Sequence, residues 1–290
     1  MIDGLVVVDK AAGWTSHDVV AKCRGIFGQK RVGHAGTLDP GATGVLLVGL
    51  GRVTRLLRYP GALAKSYVGE VVLGVETSTL DDEGDVTATY DMSGVGPDDV
   101  RKAATGFVGD IEQVPPMVSA VKVGGRRLHA LARAGEEVER EPRPMTVHAL
   151  EVRPGPEPGV FAIDVTCSSG TYVRTLAADL GRALGGGAHL RRLRRTSVGP
   201  FAIAEATPVE GLGPEAVLAP AEALRGYPSV VVDEDVAGAV RHGKVVAAAV
   251  LGVDGDGPWA VVGPTGDLLA VYERHRDDDV KPSVVVAPGQ

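Results

Sequence analysis

The chain has 290 residues, 44% of them hydrophobic and 23% charged, and a net charge of −7. That suits one large or two smaller globular domains and excludes a wholly disordered or collagen-like chain. The longest apolar run, Val245 to Val253, is too short to span a bilayer, and the N-terminus lacks a basic flank followed by a long apolar run. A cytoplasmic protein with no membrane attachment is therefore expected. Cys23 and Cys167 match no metal or redox spacing, and the seven histidines form no close pair, so free thiols and no metal are expected.

Residues 4–9 (GLVVVD) predict a short buried strand. Thr15 or Ser16 then caps a helix with apolar residues at Val19, Val20, Cys23, Ile26 and Phe27, and Gly28 stops it. A glycine-rich turn is expected over 33–44, then strands at Val45–Val48 and Tyr67–Leu73. Pro97-Asp98 opens a second helix, with Val100, Ala103, Ala104 and Phe107 on one face. Residues 114–144 combine Val114-Pro115-Pro116, a basic stretch with Lys122, Arg126 and Arg127, and a charged, proline-broken run from Glu136. This reads as a mobile excursion that orders on a partner; an exposed hairpin without that role fits the composition equally. Val160–Cys167 alternates like a strand. Val173, Leu176, Ala177, Leu180 and Leu184 give the clearest helix, ended by Gly185. Pro214, Pro220 and Pro228 mark a domain boundary. A helix at Asp233–His242 and strands at Lys244–Leu251, Trp259–Val262, Leu268–Tyr272 and Ser283–Val286 follow it. No regular βαβ repeat appears, so the fold class is α+β.

Residues 1–70 hold nine Lys/Arg against five Asp/Glu, and residues 161–200 six against two, while the remaining blocks are acidic. A polyanion responds to the local patch rather than to the total, so a nucleic-acid partner stays open. Between Asp18 and Glu70 the only acid is Asp39, in the company of eight bases from Lys22 to Lys65. Pro40 biases Asp39 toward extended backbone, and the flanking glycines permit a tight loop. A carboxylate displayed among cations suits chemistry on an anionic substrate; the alternative is an ordinary turn aspartate. Leu190-Arg191-Arg192-Leu193-Arg194-Arg195 is the densest basic cluster and offers phosphate contacts, or else a solvated helix face. Val45 to Thr54 mimics a dinucleotide fingerprint but lacks its third glycine and the acid about 20 residues on. No phosphate-binding P-loop exists, and no cofactor is expected.

Gly33-His34-Ala35-Gly36-Thr37-Leu38-Asp39-Pro40-Gly41-Ala42-Thr43-Gly44 resembles the G-H-x-G-x-L-D-P-x-A-T-G signature of the bacterial TruB family of tRNA pseudouridine synthases. Further blocks resemble that family in the same order. They are Gly4 to Lys10; Lys65-Ser66-Tyr67; Gln113 to Ala120; Ser169-Gly170-Thr171-Tyr172-Val173-Arg174; and Gly187-Ala188-His189-Leu190 with Leu193-Arg194-Arg195-Thr196. Ala11 departs from a usual proline, and His129 and His148 stand where tyrosine is common. The resemblance implies a mixed, largely antiparallel sheet in a catalytic domain over 1–222, and a small β-rich, PUA-like RNA-binding domain over 223–290.

The implied reaction turns uridine into pseudouridine in the tRNA T-arm, at the position the family calls uridine 55. Asp39 would be the catalytic carboxylate, either nucleophile at C1′ or base at the sugar. His34 would fill the space vacated by the flipped base. Tyr67 would stack on the uracil near C5, Tyr172 and Leu193 would wall its pocket, and Arg174 would pair with Asp39. Lys30, Arg31, Arg126, Arg127, Arg191, Arg192, Arg194 and Arg195 would meet the RNA backbone. A monomer with tRNA as partner, and no obligate protein partner, is expected. The rivals are a non-catalytic tRNA-binding or folding factor, against which the intact Asp39 motif argues, and a guide-RNA-dependent relative, for which the added basic tails are missing.

Overall fold

The computed structural model describes residues 2–119, 122, 123, 125–127, 136 and 138–286. In chain order its main elements are β1 (Gly4–Lys10), α1 (Ser16–Ile26), β2 (Val32–Ala35), β3 (Thr43–Leu50), β4 (Lys65–Leu73), α2 (Pro97–Thr105), β5 (Gly109–Gln113) and β6 (Arg143–Pro154). Then come β7 (Val160–Cys167), α3 (Val173–Ala183), β8 (Ala188–Val198), β9 (Ser229–Val231), α4 (Glu234–Arg241), β10 (Val246–Ala247), β11 (Trp259–Val262), β12 (Leu268–Arg274) and β13 (Asp279–Val285). The chain forms two compact units: Met1–Pro40, Gly44–Leu63 and Val198–Gln290 in one, Gly41–Thr43 and Ala64–Ser197 in the other.

In the first unit β3 lies between β1 and β2, antiparallel to both, with Val7 opposite Leu47 and His34 opposite Val48. β3 reads as an uninterrupted apolar run because both of its edges and both of its faces are covered. Leu5, Val7, Val45 and Leu47 share one core with Phe201, Leu224, Leu268, Val271 and Val284, so the C-terminal sheet folds onto the N-terminal strands. That sheet runs β9-β11-β12-β13-β10 and packs α4 against Trp259, Leu269 and Tyr272. The compact units thus divide the chain elsewhere than at residue 222.

In the second unit the strands run β8-β4-β7-β6-β5. β4 alternates strictly, with Lys65, Tyr67, Gly69, Val71 and Leu73 buried and the residues between them half-exposed. Its antiparallel partner β7 sets Cys167 opposite Lys65 and Val165 opposite Tyr67. α3 buries Val173, Leu176, Ala177 and Leu180. A Cβ on Gly181 would lie 2.5 Å from the Ala188 nitrogen, so only glycine lets the following chain return so closely.

Most predicted elements are present. α1 starts with a capping box in which Thr15 and Asp18 satisfy each other's backbone N–H, and Gly28 follows at φ 60°. Three readings change. The turn over 33–44 is shorter, because Val32–Ala35 pairs with β3 and Thr43-Gly44 already belong to it. Lys244–Leu251 holds a two-residue strand and then a one-turn helix at Ala248–Leu251, where the alanines favour helix. Arg191 to Arg195 lie on strand β8, not on a helix face. β6 went unpredicted: over its 12 residues only Val147 and Val152 are buried, so no clean alternation marks it. Of the 114–144 excursion, residues 120, 121, 124, 128–135 and 137, His129 among them, lie outside the described residues. Within it Lys122–Val123 and Arg126–Arg127 pair as a short hairpin. Its last residues, Arg143 and Pro144, belong to β6.

Candidate active site

Asp39 sits in the loop between β2 and β3, half-exposed, and its neighbours on both sides are clamped. On one side the buried Ser16 hydroxyl accepts from the Leu38 N–H at 2.9 Å and donates to the Leu38 carbonyl at 3.1 Å. On the other, the Pro40 carbonyl accepts from the Gly13 N–H at 2.9 Å and from Lys10 Nζ at 3.1 Å. Lys10 is wholly buried and also donates to the carbonyls of Ala11 (3.1 Å) and Trp14 (2.7 Å). All three protons of the ammonium thus have oxygen partners, and a loop that would otherwise be loose is fixed to β1 and α1. Leu38 is 4% exposed and anchors the turn from inside. His34, on β2, meets the His17 ring edge-on at a centroid distance of 5.3 Å.

The second unit holds the other candidates. Tyr67 is 7% exposed on the buried face of β4. Leu193 faces that strand where Gly69 leaves room: a Cβ there would lie 3.4 Å from Leu193 Cδ1. Tyr172 precedes α3, and its backbone is gripped by the buried Gln113 amide, whose oxygen accepts from the Tyr172 N–H at 2.9 Å and whose NH₂ donates to its carbonyl at 3.2 Å. Arg174 is 5% exposed, which removes the reading of a plain surface arginine. It donates to the carbonyls of Thr79 (2.8 Å) and Val118 (2.9 Å) and lies 3.2 Å from the Asp81 carboxylate. Lys65 shares the buried face with Tyr67. Burial first, and the neighbouring Arg195 charge second, push its ammonium down to about 8. Burial likewise pushes the Cys23 and Cys167 thiols up to about 11, so both stay protonated and inert.

The arginines expected on RNA phosphates differ sharply in what they touch. Arg191 and Arg192 share Glu70, at 2.7 and 3.3 Å, and Arg191 also reaches Glu157 at 3.4 Å. Arg126 forms a two-pronged bond with Glu136 at 2.8 and 2.9 Å. Arg194 is half-buried and donates to Thr43 Oγ1 at 3.3 Å. Arg195 is 1% exposed, which takes it out of any surface that faces phosphates. Lys30 and Arg31 are exposed, and among the described residues neither has an acid within ion-pair distance. Among the described residues no group of metal-ligating side chains exists, and no helix is long and apolar enough to cross a membrane.

Residues 24–173 match the model of the TruB family pseudouridylate synthase N-terminal domain, and residues 174–224 that of the tRNA pseudouridylate synthase B C-terminal domain. The chain belongs to the TruB family. It is 53% identical to tRNA pseudouridine synthase B of Symbiobacterium thermophilum over 251 residues, 85% of this chain and 84% of that protein. It is 43% identical to tRNA pseudouridine synthase B of an Arthrobacter species over 300 residues, 99% and 98% of the two chains. Among solved structures, a chain of a Cbf5–Nop10–Gar1 complex superposes with a TM-score of 0.77 at 28% identity, covering 98% of this chain and 85% of its own. The enzyme is thus a pseudouridylate synthase with the α+β fold and β-rich C-terminal part that its sequence implies.

Several residues that hold the candidate positions within each unit were not legible in the sequence. Lys10 and Lys65 stand in quoted blocks, but nothing marks a lysine as buried until its strand is placed. Ser16 reads as a helix cap; Thr15 caps instead, and Ser16 holds Leu38. Asp81 is hidden in the acidic run Asp81-Asp82-Glu83, where any one carboxylate looks solvated.

Proposed function

We propose that this enzyme isomerises uridine to pseudouridine in the T-arm of tRNA, at the position the family calls uridine 55, with Asp39 as the catalytic carboxylate. The observation that carries the reading is the doubly clamped Asp39 loop: Ser16 fixes Leu38 and Lys10 fixes Pro40, so the one carboxylate between them is held for use. The N1–C1′ bond breaks, the uracil turns, C5 bonds to C1′, C5 releases its proton and N1 takes one up, so the product is an isomer of the substrate. Atoms and electrons balance without an external reductant or energy source. Asp39 acts as nucleophile at C1′ or as base at the sugar. His34 takes the space of the flipped base, Tyr67 stacks on the uracil, Tyr172 and Leu193 wall it, and Arg174 pairs with Asp39. Residues 1–222 carry the chemistry, and 223–290 serve as the PUA-like RNA-binding part.

A guide-dependent mode has less support. The Cbf5 structure is 28% identical, against 43% and 53% for the tRNA pseudouridine synthase B relatives. The test is tritium release from C5-labelled uridine in transcribed tRNA, with the purified protein alone. Asp39→Asn should bind tRNA as well as the wild type, since it removes one negative charge, and turn over below about 1% of its rate. An Asp39→Asn enzyme retaining a few per cent of turnover would refute the assignment.

A further inference from the structure

The end of β4 remote from Tyr67 opens on a cleft of about 560 Å³ that lies wholly within the second unit. Six residues separate Tyr67 from Leu73 at the cleft, on the order of 20 Å of strand. Leu73, Val160 and Phe161, all buried, form the apolar floor where β4 pairs with β7. Two loops, 90–97 and 154–159, line the rest. Backbone bonds fix both. The Tyr90 N–H donates to the Gly74 carbonyl (2.8 Å) and the Val95 N–H to the Met92 carbonyl (3.0 Å). The Leu73 N–H donates to the Gly159 carbonyl (2.9 Å) and the Gly155 N–H to the Val160 carbonyl (2.8 Å). A Cβ on Gly187 would lie 2.6 Å from the Tyr90 ring, so glycine there lets the ring seat against the cleft. The charged groups of the cleft are two carboxylates, one from each loop: Asp91 and Glu157. Asp91 Oδ1 accepts from the Ser93 hydroxyl (2.7 Å) and N–H (3.1 Å), and these bonds, the hydroxyl's first, hold the carboxyl below the usual carboxylate range. Among the described residues no cation lies within ion-pair distance of Asp91. Glu157 meets Arg191 at 3.4 Å, but Glu70 already holds that arginine at 2.7 Å. Asp98 and Asp99, just past the cleft, are engaged instead by Arg101 and the Gly96 N–H.

We propose that this cleft binds an aliphatic polyamine, whose ammonium groups bond Asp91 and Glu157 while its methylene chain lies over Leu73, Val160 and Phe161. The volume is that of a small-ligand site, and fixed walls spare the ligand the cost of ordering them. A methylene chain covers an apolar floor as a lysine stem does, and each ammonium brings three donors to a carboxylate. Tyr90 adds a ring face of the kind that attracts an ammonium. An anion would meet two like charges, and a neutral ligand would leave the Asp91 charge unanswered. A hydrated metal ion would answer the charge but leave the floor uncovered.

The test is calorimetric titration of spermidine into the full chain with no RNA present, so the result does not depend on the reaction proposed above. The wild type should bind one equivalent saturably. Asp91→Asn and Glu157→Gln should each weaken binding about tenfold, the value of one charge-assisted contact. Asp91→Glu keeps the charge and should stay within about threefold of wild type, which a folding defect would not allow. Asp277→Asn/Asp278→Asn removes two exposed acids of the other unit and should change nothing. Mg²⁺ in about tenfold excess should not displace spermidine, since it cannot cover the floor. Absence of saturable binding to the wild type would overturn the site. So would equal losses in the Asp91→Asn and Asp277→Asn/Asp278→Asn proteins, or displacement by Mg²⁺, because either would reduce the binding to general attraction by an acidic chain.

Discussion

Lys65→Met should make the protein more stable at neutral pH and less active. Lys65 is 5% exposed on β4, and its ammonium is brought down from 10.5 to about 8, chiefly by burial and then by Arg195. At 1.36 kcal/mol per pK unit, keeping that charge inside at pH 7 costs about 3 kcal/mol relative to the unfolded chain. The sign follows from proton counts. Below pH 8 both states carry the proton, and the cost is fully present. Between pH 8 and 10.5 the native state releases its proton first, so the unfolded chain binds more protons and stability rises with pH. Above that window both are neutral and the cost is gone. Methionine fills a similar volume with no charge, so its advantage should be largest at pH 7 and fade toward pH 10.5. Urea midpoints of both proteins at pH 7, 8, 9 and 10 measure the difference and cancel other titrating groups. A difference that does not move with pH, or a variant less stable at pH 7, would refute this account of Lys65.

The remaining two expectations concern the pocket side chains. On the proposed role, Tyr67→Phe keeps the ring that would stack and removes the hydroxyl that would lie near C5, so kcat should fall by more than tenfold with KM nearly constant; a loss confined to KM would leave Tyr67 as a platform only. Arg174→Lys keeps one charge opposite Asp81 but cannot also span the Thr79 and Val118 carbonyls, so it should lose about 2 kcal/mol in urea unfolding and most of its turnover; wild-type values of both would remove Arg174 from the site.

Local signals carried much of the fold. The capping pair Thr15 and Asp18, the stop at Gly28, the alternation of Val160 to Cys167 and the apolar face of α3 each follow from residues near in sequence, and each is present. What failed depended on distant neighbours. β2 is only four residues long and exists because β3 offers it an edge. β6 is paired on both sides, yet its side chains are mostly exposed, so pairing rather than burial defines it. The same divide runs through the candidate site. The Asp39 loop was legible from one lone acid among bases. The clamps were not, because Lys10 and Ser16 act through backbone groups 30 and 22 positions away, respectively. Charge counting also could not show the partner of Arg191: Glu70, on the neighbouring strand, lies 121 positions away, and no local window contains both.

The sign of the buried charge differs from the sign of the total. Among the described residues the buried ionic side chains are Lys10, Lys65, Arg174 and Arg195, all cations, while no Asp or Glu is buried. Each stands in a block that carries the family resemblance. Stability does not explain them, because a well-packed apolar residue usually serves as well as a buried charge or better. Lys10 is matched by three carbonyls and Arg174 by two carbonyls and Asp81, so these positions are held at considerable desolvation cost. Lys10 and Arg174 give their hydrogen bonds to the protein's own oxygens, so their charge fixes the backbone around them rather than setting the chain's response to a polyanion.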